Sequence, residues 1–247
     1  MTDGELLPEQ KRWFLREPSS DARMLLLCMP YSGCGASMYR PWPAGIGTAE
    51  VVPLQLPGRE NRIREPHFGT YQDLVKAMLD DVGDLITARP YAVFGHCGGA
   101  LPAFELVIQA SERGLPGPRE IFMSSQVAPQ DGPWGRFLGL DEAGLRAEIA
   151  GLLTAMGAAA RAEELVDLFI DVMEDDVEAN RVYWRPAGTV PGRITAIGWS
   201  DDVEVPHHLM TGWPLWAPTE KEILTGTHYT FLEAPPDLLE LLERKLG

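Results

Sequence analysis

The pentapeptide Gly95-His96-Cys97-Gly98-Gly99 places a cysteine at a turn between a strand and a helix. An apolar run at residues 91–94 precedes it, and residues 100–106 continue as a helix. Glycines two positions either side of Cys97 are typical of a turn too sharp for side chains. The N-terminal end of the following helix stabilises a thiolate, the reactive form of cysteine. The pattern predicts a nucleophile elbow carrying Cys97; a buried structural cysteine beside a helix glycine is the alternative.

Composition limits the classes of protein to which this chain belongs. With 247 residues, 45% of them hydrophobic and 23% charged, the chain is expected to form one globular domain over residues 1–247. The formal net charge of −15 argues against non-specific binding to nucleic acid or to an anionic membrane surface. No apolar run approaches the length of a membrane span.

The three cysteines, Cys28, Cys34 and Cys97, have neither an even count nor a C-x-x-C spacing. This pattern predicts neither a disulfide framework nor a metal site. It fits a reducing compartment, and residues 1–11 lack the apolar segment of a signal peptide. The expected location is the cytoplasm.

Apolar runs of strand length alternate along the chain with segments of helical periodicity. Strands that are apolar on both faces are typical of a parallel sheet covered by helices. Helices are predicted over residues 71–87 and 100–112, where apolar side chains recur at helical spacing. The alternation predicts an α/β fold with a doubly wound, mostly parallel sheet. The predicted strands are residues 24–29, 51–56, 91–94, 120–124, 193–198 and 221–224.

Residues 141–183 interrupt this alternation, because they carry only helical periodicity. They lie between the predicted fourth and fifth strands, so we expect a helical lid over residues 130–190, inserted above the sheet. A plain surface hairpin of helices is the alternative. The apolar stripe of its second helix consists of Leu165, Leu168, Phe169, Val172 and Met173.

A cysteine nucleophile needs a base, and the base needs a carboxylate that orients it. In an elbow of this kind the chain order is nucleophile, acid, histidine. His228 lies between the last predicted strand and a final helix, which is the expected place for the base. His207 and His208 follow a proline near a strand end and are expected in a solvated loop.

The acid is expected in the turn after the penultimate strand. Asp202 and Asp201 both qualify there, and Glu204 is a weaker option. Any of the three could instead be an ordinary turn or capping carboxylate, so the choice stays open at this point.

An oxyanion hole requires two backbone N–H donors aimed at the developing negative charge. One is expected from Gly98, which follows the nucleophile. The other is expected from Tyr31 or Ser32, in the glycine-containing loop at residues 30–37. Cys34 lies in the same loop without a base near it in the pattern, and we interpret it as a loop residue.

Further motifs accompany this constellation. With them, residues 24–232 resemble the type II thioesterases of polyketide and nonribosomal peptide assembly lines, members of the α/β-hydrolase superfamily. The motifs are Pro-Tyr-Ser-Gly at residues 30–33, Gln-Leu-Pro-Gly-Arg-Glu at 55–60, Tyr-Ala-Val-Phe-Gly-His at 91–96, Ala-Phe-Glu-Leu at 103–106, Asp-Asp at 175–176 with Tyr183, and Gly-Thr-His at 226–228.

Such enzymes remove aberrant acyl or aminoacyl groups from the phosphopantetheine arm of a carrier protein. The resemblance implies that Cys97 is the nucleophile, His228 the base and Asp202 its orienting acid. It implies that the lid gates a channel for the arm, and that the partner is an acyl or peptidyl carrier protein. The enzyme is expected to act as a monomer without a metal or cofactor of its own.

Two residues depart from the family pattern. The family usually has serine at position 97, and often methionine where this chain has Gly98. The glycine is expected to enlarge the acyl pocket. The arginines near the Leu-Pro-Gly motif, Arg59, Arg62 and Arg64, form a local basic cluster for which we expect either a solvated loop face or a contact with a phosphate or the carrier.

Three functions therefore remain open at the level of sequence. Thioester hydrolysis fits the whole pattern of motifs. Acyl transfer to a second carrier thiol, an amine or an alcohol is the second, because an acyl group on Cys97 remains a thioester. A carrier-binding module without catalysis is the third, and the Cys–His–Asp order speaks against it.

Overall fold

The computed structural model describes residues 8–155 and 162–247. Its centre is a seven-stranded sheet in the order β2-β3-β1-β4-β5-β6-β7. All neighbouring pairs are parallel except β2 and β3. The strands are β1 Met24–Cys28, β2 Gly45–Ile46, β3 Ala49–Pro53, β4 Tyr91–His96, β5 Ile121–Ser124, β6 Ile194–Trp199 and β7 Thr219–Leu224.

Alternate strand residues enter two separate apolar clusters, one on each face of the sheet. Leu25 and Leu27 pack with α2 and α3, whereas Leu26 and Phe94 pack with α6 and with apolar residues of α4 and α5. The helices are α1 Pro8–Lys11, α2 Tyr71–Ala88, α3 Ala100–Glu112, α4 Glu142–Ala155, α5 Ala162–Val182 and α6 Pro236–Leu246.

The strand order reverses between β1 and β4. In the sheet, β3 and β2 lie on one side of β1. On the other side, β4, β5, β6 and β7 follow one another in chain order. In open α/β sheets, ligands bind outside the carboxyl ends of the strands at such a switch point. The loop after β1 and the turn after β4, which carry the predicted oxyanion residues and Cys97, therefore meet at this edge.

The predicted α/β fold with a mostly parallel sheet is confirmed. Each predicted strand is present, with ends that differ by a few residues, and the helix predicted over residues 100–112 matches α3. The sequence reasoning missed β2 because an antiparallel strand of two residues has too few positions to show a pattern.

The insertion between β5 and β6 contains α4 and α5, where helical periodicity predicted them. Asp141 caps α4 through a 2.9 Å hydrogen bond to the Gly144 N–H. Of the predicted stripe on α5, Val172 and Met173 are buried and Phe169 is half-buried, whereas the side chains of Leu165 and Leu168 lie outside the described part. Within residues 8–155 and 162–247, no helix has the length and apolarity needed to cross a bilayer.

Candidate active site

Cys97 lies at the apex of a strained turn between β4 and α3. Its φ of 49° is in the left-handed region, which non-glycine residues seldom adopt. A Cβ on Gly95 would overlap the backbone of Ala100, and one on Gly99 would overlap the Pro30 carbonyl oxygen. The two flanking glycines are thus required by the close approach of backbone, as the pattern predicted.

His228 and Asp202 come together beside this turn, although they follow different strands. Nδ1 of His228 lies 2.9 Å from Oδ2 of Asp202, and both side chains are almost fully buried. Asp201 is exposed, and its carboxylate accepts a hydrogen bond from the Ser200 hydroxyl instead. Of the carboxylates in the turn after β6, Asp202 is therefore the one that hydrogen-bonds Nδ1 of His228.

Asp202 is held in place by a set of hydrogen bonds from the protein. The Ser125 hydroxyl donates to Oδ2 at 2.6 Å, and the backbone N–H groups of Glu204 and Val205 donate to Oδ1, each at 2.9 Å. Burial alone would raise the pKa of Asp202, but His228, Ser125 and the Val205 N–H lower it. The carboxylate therefore stays ionised and fixes the orientation of the imidazole.

Cys97 also acts on this imidazole. Burial disfavours the protonated form of His228, but the charge of Cys97 and the hydrogen bond to Asp202 outweigh it. Together with the charge of Glu204, they raise the pKa of His228 to about 10. A proton on this ring is thus stabilised beside Cys97, so the imidazole can hold the proton that a cysteine nucleophile gives up.

His96 supports the site from beneath. Its ring stacks on Phe231 with centroids 3.7 Å apart, and it meets His228 edge-on at 4.6 Å. Its Nδ1 is 2.8 Å from the Ser124 hydroxyl oxygen. Complete burial lowers the pKa of His96, so this ring stays neutral and acts as packing beneath the charged imidazole of His228.

The loop at residues 30–37 lies against the nucleophile turn. The backbone nitrogen of Ser32 is 3.8 Å from the position that a Cβ on Gly98 would take, so these two residues are neighbours. The Tyr31 N–H instead donates to the sulfur of Met38 at 3.1 Å. Ser32 Oγ occupies the space of a residue-98 Cβ, so the pocket enlargement expected from Gly98 does not occur at that point.

Two of the three arginines near the Leu-Pro-Gly motif have structural partners. Arg59 is 2% exposed and makes two 2.8 Å hydrogen bonds to the Asp176 carboxylate of α5. Arg62 is also buried and bonds the Gln55 carbonyl and Glu65. A solvated loop face and a phosphate or carrier contact are therefore both wrong for Arg59 and Arg62, and both alternatives stay open for the exposed Arg64.

Asp176 connects helix α5 to the loop beside Cys97. Besides Arg59, its carboxylate accepts the Gly33 N–H at 2.7 Å and lies 2.8 Å from Nε2 of His67. Burial would raise the pKa of Asp176, but the Arg59 charge and these hydrogen bonds lower it well below its usual range. Gly33 has a φ of 74° and touches Met173, also on α5.

A family model described as "Thioesterase domain" matches residues 25–246. The chain belongs to the thioesterase family. It is 32% identical over 192 residues to a probable cadicidin biosynthesis thioesterase of Streptomyces griseus, in an alignment that covers 76% of this chain and 51% of that protein. The chain thus spans about half the length of this curated relative.

Two solved thioesterases have the same architecture. RedJ, from the prodiginine biosynthetic pathway in Streptomyces coelicolor, is 29% identical with a TM-score of 0.78, over 95% of this chain and 93% of that chain. BorB, a type II thioesterase from the borrelidin biosynthetic cluster, is 25% identical with a TM-score of 0.79, over 94% of this chain and 96% of that chain. The thioesterase therefore has the α/β-hydrolase fold that the resemblance implied.

Several residues around the site of this thioesterase escaped the sequence reasoning. Ser125 follows β5 with a φ of 46° and bonds Asp202, and the polar run after a buried strand was its only signal. The side chains of Tyr31 and Tyr229 pack around His228, with ring centroids at 5.9 Å and 5.2 Å. Aromatic residues in loops carry no pattern that would predict this.

Proposed function

We propose that this protein hydrolyses acyl or aminoacyl thioesters carried on the phosphopantetheine arm of a carrier protein in natural-product biosynthesis. The observation that carries the proposal is the juxtaposition of Cys97, on a strained turn at the switch point of the sheet, with the pair of His228 and Asp202. Family membership and relatives named as biosynthetic thioesterases support the reaction class.

In the first half-reaction His228 holds the proton given up by the Cys97 thiol, and the sulfur attacks the thioester carbonyl. The Gly98 N–H and the neighbouring Ser32 N–H are the donors that we assign to the developing oxyanion. The Tyr31 N–H is the weaker candidate, because it donates to Met38. The tetrahedral intermediate collapses as His228 protonates the departing pantetheine thiol, which leaves the acyl group on Cys97.

In the second half-reaction a water molecule replaces the pantetheine arm. His228 removes a proton from this water as it attacks the acyl carbonyl. The C–S bond to Cys97 breaks, the sulfur recovers the proton, and the carboxylic acid leaves. Asp202 keeps the imidazole in one orientation through both steps.

Acyl transfer is the second candidate function, and the identity of residue 97 favours it. Attack by cysteine on a thioester yields another thioester, so the acyl group keeps its transfer potential on the enzyme. A second carrier thiol, an amine or an alcohol could then replace water in the second half-reaction. The geometry of Cys97 and His228 serves both outcomes equally.

Intact mass spectrometry after exposure to a panel of acyl-loaded carrier proteins tests the proposal. We expect an acyl adduct on the wild type that is lost to water. No adduct is expected on Cys97→Ala, and a slowly formed one on Asp202→Asn. Asp201→Asn is the matched control, because its carboxylate is exposed and makes no contact with His228. A Cys97→Ala variant with full thioesterase activity would refute the nucleophile.

The Cys97→Ser variant separates hydrolysis from transfer. If the protein is a hydrolase, the wild-type adduct disappears at the same rate with and without a second carrier. If it is a transferase, the second carrier accelerates loss and becomes acylated, and Cys97→Ser abolishes this transfer, because the oxygen ester that it forms has lost the transfer potential.

A further inference from the structure

Glu204 places a second carboxylate at the imidazole of His228. Its side chain is 5% exposed, and Oε2 lies 3.5 Å from Nε2 of His228, on the side opposite Asp202. The other oxygen, Oε1, accepts hydrogen bonds from the Tyr229 hydroxyl at 2.8 Å and from Arg136 at 3.0 Å. The Oε1 oxygen is thus held by Tyr229 and Arg136, and the Oε2 oxygen faces His228.

The charges around Glu204 leave an excess of negative charge. Arg136 is shared between Glu204 and Glu148, so one guanidinium serves two carboxylates. His228 likewise faces both Asp202 and Glu204, so two basic groups serve three carboxylates. The surroundings of Glu204 therefore favour the arrival of a further cation.

Three buried polar atoms around His228 have no hydrogen-bond partner in the described part of the chain. They are Oε2 of Glu204, the hydroxyl of Tyr31 and Nε2 of His228. The Tyr31 ring lies 5.9 Å from the His228 ring and 6.3 Å from the ring of Tyr229, whose hydroxyl bonds Glu204. A buried polar atom left unpaired is costly and needs an explanation, and a bound polar ligand is one.

We propose that Glu204 and the Tyr31 hydroxyl bind the protonated amino group of an aminoacyl thioester. The inference rests on the proposed function, because it places the acyl carbonyl at the Cys97 sulfur. The α-amino nitrogen of an aminoacyl group is two bonds from that carbonyl carbon, so it must lie close to the sulfur and to His228. An ammonium group supplies the donors that Oε2 and the Tyr31 oxygen lack, and the positive charge that the site favours.

Alanyl-pantetheine and propionyl-pantetheine thioesters test this inference, because they differ only by the amino group. In Glu204→Gln we expect kcat/KM for the alanyl substrate to fall about 10- to 100-fold, the range for loss of a charged hydrogen bond. The value for the propionyl substrate should fall by a smaller factor, because the charge of Glu204 also acts on His228, so the ratio of the alanyl to the propionyl value should fall at least about fivefold. Asp201→Asn, an exposed acid in the same turn, should change neither value.

A pH profile gives a second readout. The wild-type ratio of alanyl to propionyl kcat/KM should fall above about pH 8, where an α-amino group loses its proton. The Glu204→Gln variant should lack this component. Tyr31→Phe, which keeps the pair of Glu204 with Arg136, should lower the alanyl value about 2- to 10-fold and serves as the test if Glu204→Gln does not fold.

Equal losses on both substrates would overturn the inference, since Glu204 would then act on His228 or on the attacking water. An unchanged alanyl value in Glu204→Gln would overturn it as well. Failure of the proposed function is distinguishable, because the wild type would then cleave neither thioester and form no adduct at Cys97, and the inference would fall with it.

Discussion

Cys97 and His228 determine each other's charge across the site. The positive φ at Cys97 holds the sulfur out of the sheet, and Asp202 holds the imidazole against it. Because the negative charge of Cys97 is the largest of the influences that raise the pKa of His228, the protonated imidazole depends on the sulfur as well as on the carboxylate. The two partners are therefore best tested together.

We expect Cys97→Ala to lower the pKa of His228 from about 10, because the charge of the sulfur is removed. The pKa is read from the imidazole signals in an NMR titration, with Asp201→Asn as the control that leaves it unchanged. The raised pKa also links His228 to stability. Its contribution is complete below the unfolded pKa near 6.5 and is lost as the pH rises through about 10. An unchanged pKa in Cys97→Ala would contradict the pairing.

At the scale of secondary-structure elements, one ion pair connects three segments. Asp176 on α5 binds Arg59 from the Leu-Pro-Gly motif and the Gly33 N–H from the loop after β1. Helix α5 therefore contributes directly to the position of the loop whose Ser32 lies beside Gly98. This gives Arg59 a physical role that its place in a basic cluster did not indicate.

We expect Asp176→Ala to lower the free energy of unfolding by about 3–5 kcal/mol, because it leaves the Arg59 guanidinium buried without an anion. The neighbouring Asp175→Ala, at an exposed position, should change it by less than about 0.5 kcal/mol. Urea unfolding measures both values.

The pKa of Asp176 is lowered in the folded state, so the stabilisation is present above the ordinary carboxyl pKa and is lost as the pH falls through the lowered value. The difference between wild type and Asp176→Ala should therefore shrink in acid. Equal unfolding free energies for Asp176→Ala and Asp175→Ala at neutral pH would show that the pair does not stabilise the fold.

At the scale of the whole molecule, the net charge of −15 opposes approach of any acidic partner. If the partner is the carrier protein that we propose, its docking must rely on a local patch, for which the exposed Arg64 is one candidate. The repulsion between the two net charges acts over a longer distance than the attraction at such a patch. Salt therefore weakens the repulsion before it weakens the local attraction.

We expect kcat/KM toward an acidic acyl-carrier protein to rise when ionic strength increases from about 0.01 M to about 0.15 M, because the Debye length falls from about 30 Å to about 8 Å. The same thioester on free pantetheine is the control and should respond weakly. Steady-state rates at a series of salt concentrations measure both. A fall with salt for the carrier would instead indicate net attraction at the docking surface.

The sequence alone determined the α/β class, the strands with apolar faces, the turn at Cys97 and the order in which Cys97, Asp202 and His228 follow one another. Periodicity and glycine spacing depend only on residues that are close in sequence, and the order of residues is read directly along the chain. The short β2 left no such pattern, since a strand of two residues is too short to have a period.

Only the tertiary structure decided which acid meets His228, which partner Arg59 takes and where Glu204 points. Asp201 and Asp202 are adjacent and chemically identical, so the direction of each side chain in the turn after β6 makes the difference. Arg59 and Asp176 meet because α5 folds back over the loop after β1. Contacts of this kind join segments far apart in the chain, and their energy depends on burial and distance, which a linear sequence does not contain.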